Sequence, residues 1–224
     1  MQVEANGVYT NLDCSARDFS GEHLEGATFS DCRFVGARFA SAVLREARFE
    51  RCQFFDPADE AAADFSFADL QAAHFEACDL STANLSHSSV YDARFERCQL
   101  QGTDLSAADF RMPISARTPL IAAHFNECNL SYADLSNTNL SGATLTGCRL
   151  LDALLHNCDL TGADLRGTDL TNIDARGLVL SGADLRDATF NNLDVRSLDL
   201  SGARMRPEQV AYLLGPLGIE VDTS

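Results

Sequence analysis

Eight cysteines and five histidines are the side chains of this 224-residue sequence best suited to chemistry. Cys32, Cys52, Cys78, Cys98, Cys128, Cys148 and Cys158 have the atoms to form disulfides or to ligate a soft metal. Their spacing argues against both, because it matches no zinc-binding pattern. Four residues before Cys78 and Cys128 stand His74 and His124, but the period described below turns those histidines outward and the cysteines inward. His23, His87 and His156 are scattered and read as solvated. No nucleophile stands beside a base in a pattern that marks a reaction centre. The expectation is therefore a protein without catalysis, cofactor or metal. Its thiols should be reduced and buried, acting as small hydrophobes.

What must position these residues is a repeat. A-A-H-F-N-E-C-N-L (Ala122 to Leu130) returns twenty residues later as G-A-T-L-T-G-C-R-L, and G-A-T-F-S-D-C-R-F and E-A-R-F-E-R-C-Q-F stand twenty apart upstream. Within the twenty lies a five. Phe19, Leu24, Phe29, Phe34, Phe39, Leu44, Phe49 and Phe54 are evenly spaced, and a small residue precedes most such positions by two. A period of five fits neither a helix nor a long alternating strand. It fits a chain that turns a corner every five residues and closes a square coil in twenty. Coils stacked at the ~4.8 Å strand spacing can hydrogen-bond to one another and bury large residues in four columns. About nine coils fit between Tyr9 and Met205, giving an all-β, right-handed quadrilateral parallel β-helix as one elongated domain over residues 1–205.

The net charge of −16 excludes the basic face that nucleic-acid binding needs and disfavours anionic membranes. A basic partner is compatible with it. Met1 to Thr10 is polar and has no apolar run, and no stretch is long enough to cross a bilayer, so a cytoplasmic setting is expected.

Departures from the period mark where function can reside. Insertions of six and ten residues fall within Phe55 to Ala63 and Arg111 to Ile121, where Pro57, Pro113 and Pro119 resist continuing a strand. Both should leave the rod as loops at diagonal corners. The second offers Arg111, Met112, Pro113, Ile114 and Arg117. The first offers Phe55, Asp56, Asp59 and Glu60, and would cover the second loop's root or join the partner contact. Beyond Met205, Pro207 and Glu208 suit the start of a helix that Gly215-Pro216 ends. Residues 206–224 are read as a cap, with Val210, Leu213, Leu214 and Ile219 as a homodimer contact and Ile219 and Val221 in a short strand. An outward stripe of aspartates includes Asp64, Asp104, Asp134, Asp174 and Asp194, while another column carries Arg48, His74, Arg94 and His124.

A-D-L-S-N, T-N-L-S-G, A-D-L-R-G and A-D-L-R-D resemble the A-(D/N)-L-x-x motif of pentapeptide-repeat proteins, which implies their β-helix for nearly the whole chain. The two loops, N-L-S-Y-A (Asn129 to Ala133) and the ending L-G-I-E-V resemble more narrowly the Qnr type. That resemblance implies protection of DNA gyrase and topoisomerase IV from quinolones, an acidic rod imitating duplex DNA, and dimerisation through the C-terminal ends. It implicates the longer loop first and the shorter second. The alternative is a pentapeptide-repeat scaffold or immunity protein with a different partner. A polysaccharide lyase would need less regular coils with a cleft, and an ice-binding solenoid would need threonine ladders.

Overall fold

A computed structural model describes residues 3–58, 60–111, 122–191 and 193–219. Short strands β1 (Val8–Thr10), β2 (Thr28–Ser30) and β3 (Arg48–Glu50) run parallel up one face of a square coil. A small hairpin, β4 (Phe55–Asp56) and β5 (Ala61–Ala62), interrupts the coil. The face then resumes with β6 (His74–Glu76), β7 (Arg94–Glu96) and β8 (His124–Asn126). Farther along, β9 (Asp169–Leu170) and β10 (Thr189–Phe190) pair in parallel on the second face. The remaining sides meet through single parallel bridges such as Asp13↔Arg33, Asp18↔Arg38 and His23↔Val43. Three residues per side are too few for a conventional strand. The backbone is satisfied nonetheless, because Cys14, Phe19 and Leu24 donate to carbonyls of the next coil at 2.7–2.8 Å.

Corners explain the period of five. The residue two after each column residue takes a left-handed conformation, as Asn11, Ala16, Asp31 and Ser41 do with φ of 55–58°. The N–H three after the column residue then closes the turn, as Ala27 N–H does onto Leu24 C=O at 3.1 Å. Where the side chain one before the column is Asp or Asn, its Oδ1 accepts the N–H two residues on, as in Asp18 to Ser20 (2.9 Å) and Asn84 to Ser86 (3.0 Å). The A-(D/N)-L motif is thus a device for fixing corners before it is anything else.

The columns are buried from Cys14 to Leu170 and half-buried at the ends, at Tyr9, Val195, Leu200 and Met205, and their aromatic rings stack at the coil spacing: Phe39 on Phe65 at 4.7 Å, Phe49 on Phe75 at 4.8 Å, Phe95 on Phe125 at 5.0 Å. These stacks span both insertions. The register agrees, with Arg38 facing Asp64 across the first and Asp104 facing Asp134 across the second.

All eight cysteines are free and buried. Six stack in one inner column, and each thiol from Cys52 to Cys148 donates to the carbonyl of the strand residue one coil below, Cys78 to Phe49 at 3.3 Å and Cys128 to Phe95 at 3.2 Å. Thr168 continues the ladder with its hydroxyl, 2.8 Å from Leu145 C=O. Cys14 differs in taking a large-column position, where it too is buried. Burial pushes the Cys158 thiol up to about 12; Cys98 is also raised to about 12, chiefly by its hydrogen bond to Cys128.

Helix α1 (Pro207–Leu214) closes the far end. The Gln209 carboxamide accepts Arg206 N–H at 2.8 Å and donates to the Leu185 and Ala188 carbonyls at 2.8 and 2.7 Å, tying the helix to the last coils. The α-helix ends at Leu214 with Gly215 as its C-cap, as expected from the Gly215-Pro216 pair. The chain then tightens into a 3₁₀ turn through Leu217, and Gly218 (φ 73°) is the left-handed terminator. At the opposite end the Arg17 guanidinium lies over the Phe19 ring, 4.7 Å from its centroid.

Candidate partner-binding faces

Among the described residues the candidate sites are the rod's faces, corners and insertions. The first face, along β1–β3 and β6–β8, carries the Arg48, His74, Arg94 and His124 column beside Glu50, Glu76 and Glu96. Its charges largely answer one another. Arg94 and His124 both lie 3.3 Å from Asp92, His74 is 3.5 Å from Glu96, and Arg51 pairs with Asp31 at 2.8 Å. On the fourth face Arg45 and Arg111 hold Asp69 and Asp109, while Asp159 and Asp199, set apart by Val179, accept the Thr161 and Ser201 N–H with no ion pair among the described residues.

The third face differs. Its outward column runs Asp18, Arg38, Asp64, Asn84, Asp104, Asp134, Leu154 and Asp174. Asp64, Asp104 and Asp134 each give one oxygen to a backbone N–H, of Ser66, Ser106 and Ser136 at 2.8–2.9 Å, and have no ion pair among the described residues. Asp174, predicted in the same set, is different. Arg176 chelates it with Nε 2.8 Å from Oδ1, which holds its carboxyl near 2 and cancels its charge locally. The same clamp joins Asp164 to Arg166, Asp184 to Arg186 and Asp194 to Arg196. The uncompensated stripe therefore belongs to the N-terminal and central coils. The signal was present in the sequence as Arg two residues after Asp.

The insertions leave diagonal corners. Phe55 pairs with Ala62 and Asp56 with Ala61, so the first is a hairpin and not a plain loop. Ala63 N–H closes onto Phe54 C=O at 2.9 Å. Asp56 accepts Ala58 N–H at 2.8 Å and pairs with Arg33 at 2.9 Å, which together hold its carboxyl below the usual range. Its charge is thus engaged within the chain. Ala61 lies over Gly36, where an added Cβ would sit 3.4 Å away. Phe55 is half-buried and Glu60 exposed. Since the second root lies across the rod, the hairpin does not cover it. At that root Arg111 is chelated by Asp109, at 2.8 and 3.0 Å, so its guanidinium is already occupied. Asp59, Met112, Pro113, Ile114 and Arg117 lie outside the described residues, as does Val221.

Of the residues predicted at the dimer contact, Leu213 is buried against the last coil, and Val210 and Leu214 are half-buried beside Leu200, Ala203 and Met205. They act as the cap. Ile219 is in no strand and is exposed, as are Tyr212 and Leu217. Among the described residues no group of three or more His, Cys, Asp or Glu is placed to hold a metal ion, and no helix is long and apolar enough to cross a membrane.

Four buried columns, a corner every five residues and insertions that preserve register define a pentapeptide-repeat solenoid. The family described as pentapeptide repeats matches in eight copies, over residues 18–56, 63–102, 78–111, 123–162, 133–172 and 163–206, and the chain belongs to it. Full-length QnrB1, a plasmid-mediated fluoroquinolone resistance protein, is 30% identical with a TM-score of 0.89, the match covering 95% of this chain and 100% of that one. Two trypsin-treated variants of QnrB1 are 30% and 31% identical, each with a TM-score of 0.77, covering 96% of this chain and 100% and 99% of theirs. Within the family this chain is of the Qnr type. Comparison with curated proteins gives no match.

Proposed function

We propose that this protein binds the type II topoisomerases DNA gyrase and topoisomerase IV in the cytoplasm and protects them from fluoroquinolones, without catalysis of its own. The observation that carries the reading is the third face, where Asp104 and Asp134 face one another in one column and, with Asp64, make no ion pair among the described residues. A row of carboxylates on a rod of net charge −16 offers a basic protein the charge pattern of a phosphate backbone. The likeness over the full length to QnrB1, a fluoroquinolone resistance protein, supports the link to fluoroquinolones. In this reading the column steers and orients the encounter, and the segment 111–121 and hairpin 55–63 refine the contact at opposite corners. A homodimer forms through the C-terminal ends. Tyr212, Leu217 and Ile219 support that part, being exposed apolar side chains on a cap whose other apolar residues already face the rod.

The test is gyrase supercoiling at an inhibitory fluoroquinolone concentration, with rising amounts of the protein. Restored supercoiling is expected from the intact chain and not from D64N/D104N/D134N. Equal rescue by both would remove the acidic column from the mechanism. No rescue by either would turn the reading towards a scaffold with another partner.

A further inference from the structure

His87 apart, the left-handed corner between the third and fourth faces is built from small residues and Asn: Gly21, Ser41, Ala107, Asn137, Asn157 and Gly177. Phe67 breaks that pattern. It holds φ at 58°, a conformation that a bulky side chain rarely adopts, and it is 63% exposed. One coil above, His87 takes the same conformation (φ 57°) and stacks on it, ring centroids 5.0 Å apart and planes within 6°. Nothing in the rod's interior requires an aromatic ring there, since the core lies on the other side of the backbone. At the opposite corner of the same face Tyr132 is also left-handed (φ 60°) and 54% exposed. The unpaired carboxylates of Asp64, Asp104 and Asp134 lie between these two aromatic edges.

From this arrangement we infer that the third face is a binding surface for arginine side chains of a basic protein, with the Phe67–His87 stack as its anchor. A planar guanidinium lies flat on an aromatic ring while its N–H groups reach carboxylates beside it, and both parts are present here. Lysine offers a point charge without the flat surface. The stack would also suit nucleobases, but a chain of net charge −16 repels a polyanion, so the charge selects a cationic protein. The inference rests on the reading of the third face as the partner-facing one. It adds Phe67, His87 and Tyr132, which the acidic column alone does not name.

The experiment titrates the full-length protein with hexa-arginine and hexa-lysine peptides at physiological salt. It follows the His87 imidazole by NMR and affinity by calorimetry, for the intact chain and for F67S. Serine occupies this corner at Ser41 (φ 58°), so F67S keeps the fold, and an equal or higher melting temperature verifies it. Hexa-arginine should bind roughly tenfold more tightly than hexa-lysine and shift His87, and F67S should erase the preference. Equal affinity for the two peptides, or a preference that survives F67S, overturns the inference in favour of undirected charge attraction. Dissociation of a homodimer by F67S also overturns it, because the stack would then be a contact between copies. A chain that passes the peptide test yet ignores purified gyrase upholds the arginine surface and removes the topoisomerase reading.

Discussion

Replacing Asp104 by Asn and by Ala separates what its carboxylate does for the fold from what its charge does. In the structure Oδ1 accepts Ser106 N–H at 2.9 Å on a half-buried corner. Asparagine performs the same task elsewhere in the molecule, at Asn84 for Ser86 (3.0 Å) and Asn139 for Ser141 (3.0 Å). D104A leaves the Ser106 N–H without its acceptor, which costs about 0.5–1.5 kcal/mol. For a chain of this length that lowers Tm by roughly 1–6 °C. D104N keeps the acceptor and also removes repulsion, because Asp104 faces Asp134 across one coil step. Its Tm should equal or slightly exceed that of the parent. Calorimetry on the two variants under one buffer decides the matter. An Asn variant that falls as far as the Ala variant refutes the account, for the charge itself would then be holding the coil.

Four further outcomes follow from the geometry. Deleting residues 112–121 joins Arg111 to Ala122 and restores the five-residue step into Phe125, so the far-UV spectrum and Tm should change little; a collapse of either would mean that the segment supports the rod. Thiol titration of reduced protein should find the cysteines protected until unfolding and all free afterwards. Alkaline pH should destabilise the protein: burial keeps the Cys158 proton to about 12 in the fold, and it is lost near 8.5 when unfolded, so stability falls as pH rises above about 9, and C158A should flatten that fall. Acid works through carboxylates of lowered pKa, Asp174 and Asp184 near 2, whose contribution is present above about pH 4 and lost as pH falls towards 2, so R176A with R186A should shift the acid limb of the Tm profile upward in pH.

Much of this molecule is legible in its sequence because a solenoid repeats its reasons. Phe29, Phe49 and Phe75 lie in one buried column since each closes the same side of the same square, and the interval of 26 between the last two reads directly as a six-residue excursion. The same arithmetic sends the seven small-position cysteines inward. What escaped is what depends on a second partner. The hairpin of Phe55–Asp56 with Ala61–Ala62 rests on two antiparallel pairs and on Arg33, one coil below, which no periodicity encodes. The pairing of Asp174 with Arg176 is spelled D-x-R, but the corner hydrogen bond alone accounts for an aspartate there. Val210, Leu213 and Leu214 read equally as a cap or an interface until the last coil is placed beside them. Phe67 sits two residues after Phe65, a corner by the same count that found the columns, yet an apolar residue off its column is easily taken for ordinary surface.

The central claim is that an uncompensated acidic face on this rod engages a type II topoisomerase in place of DNA. Its most direct test is binding of purified gyrase to the immobilised protein, measured at low and physiological salt and against competing duplex DNA, for the parent and for D64N/D104N/D134N. The account predicts affinity that weakens with salt, is displaced by duplex DNA, and drops in the triple variant while its Tm holds. Affinity indifferent to salt, to DNA and to the three charges would contradict it.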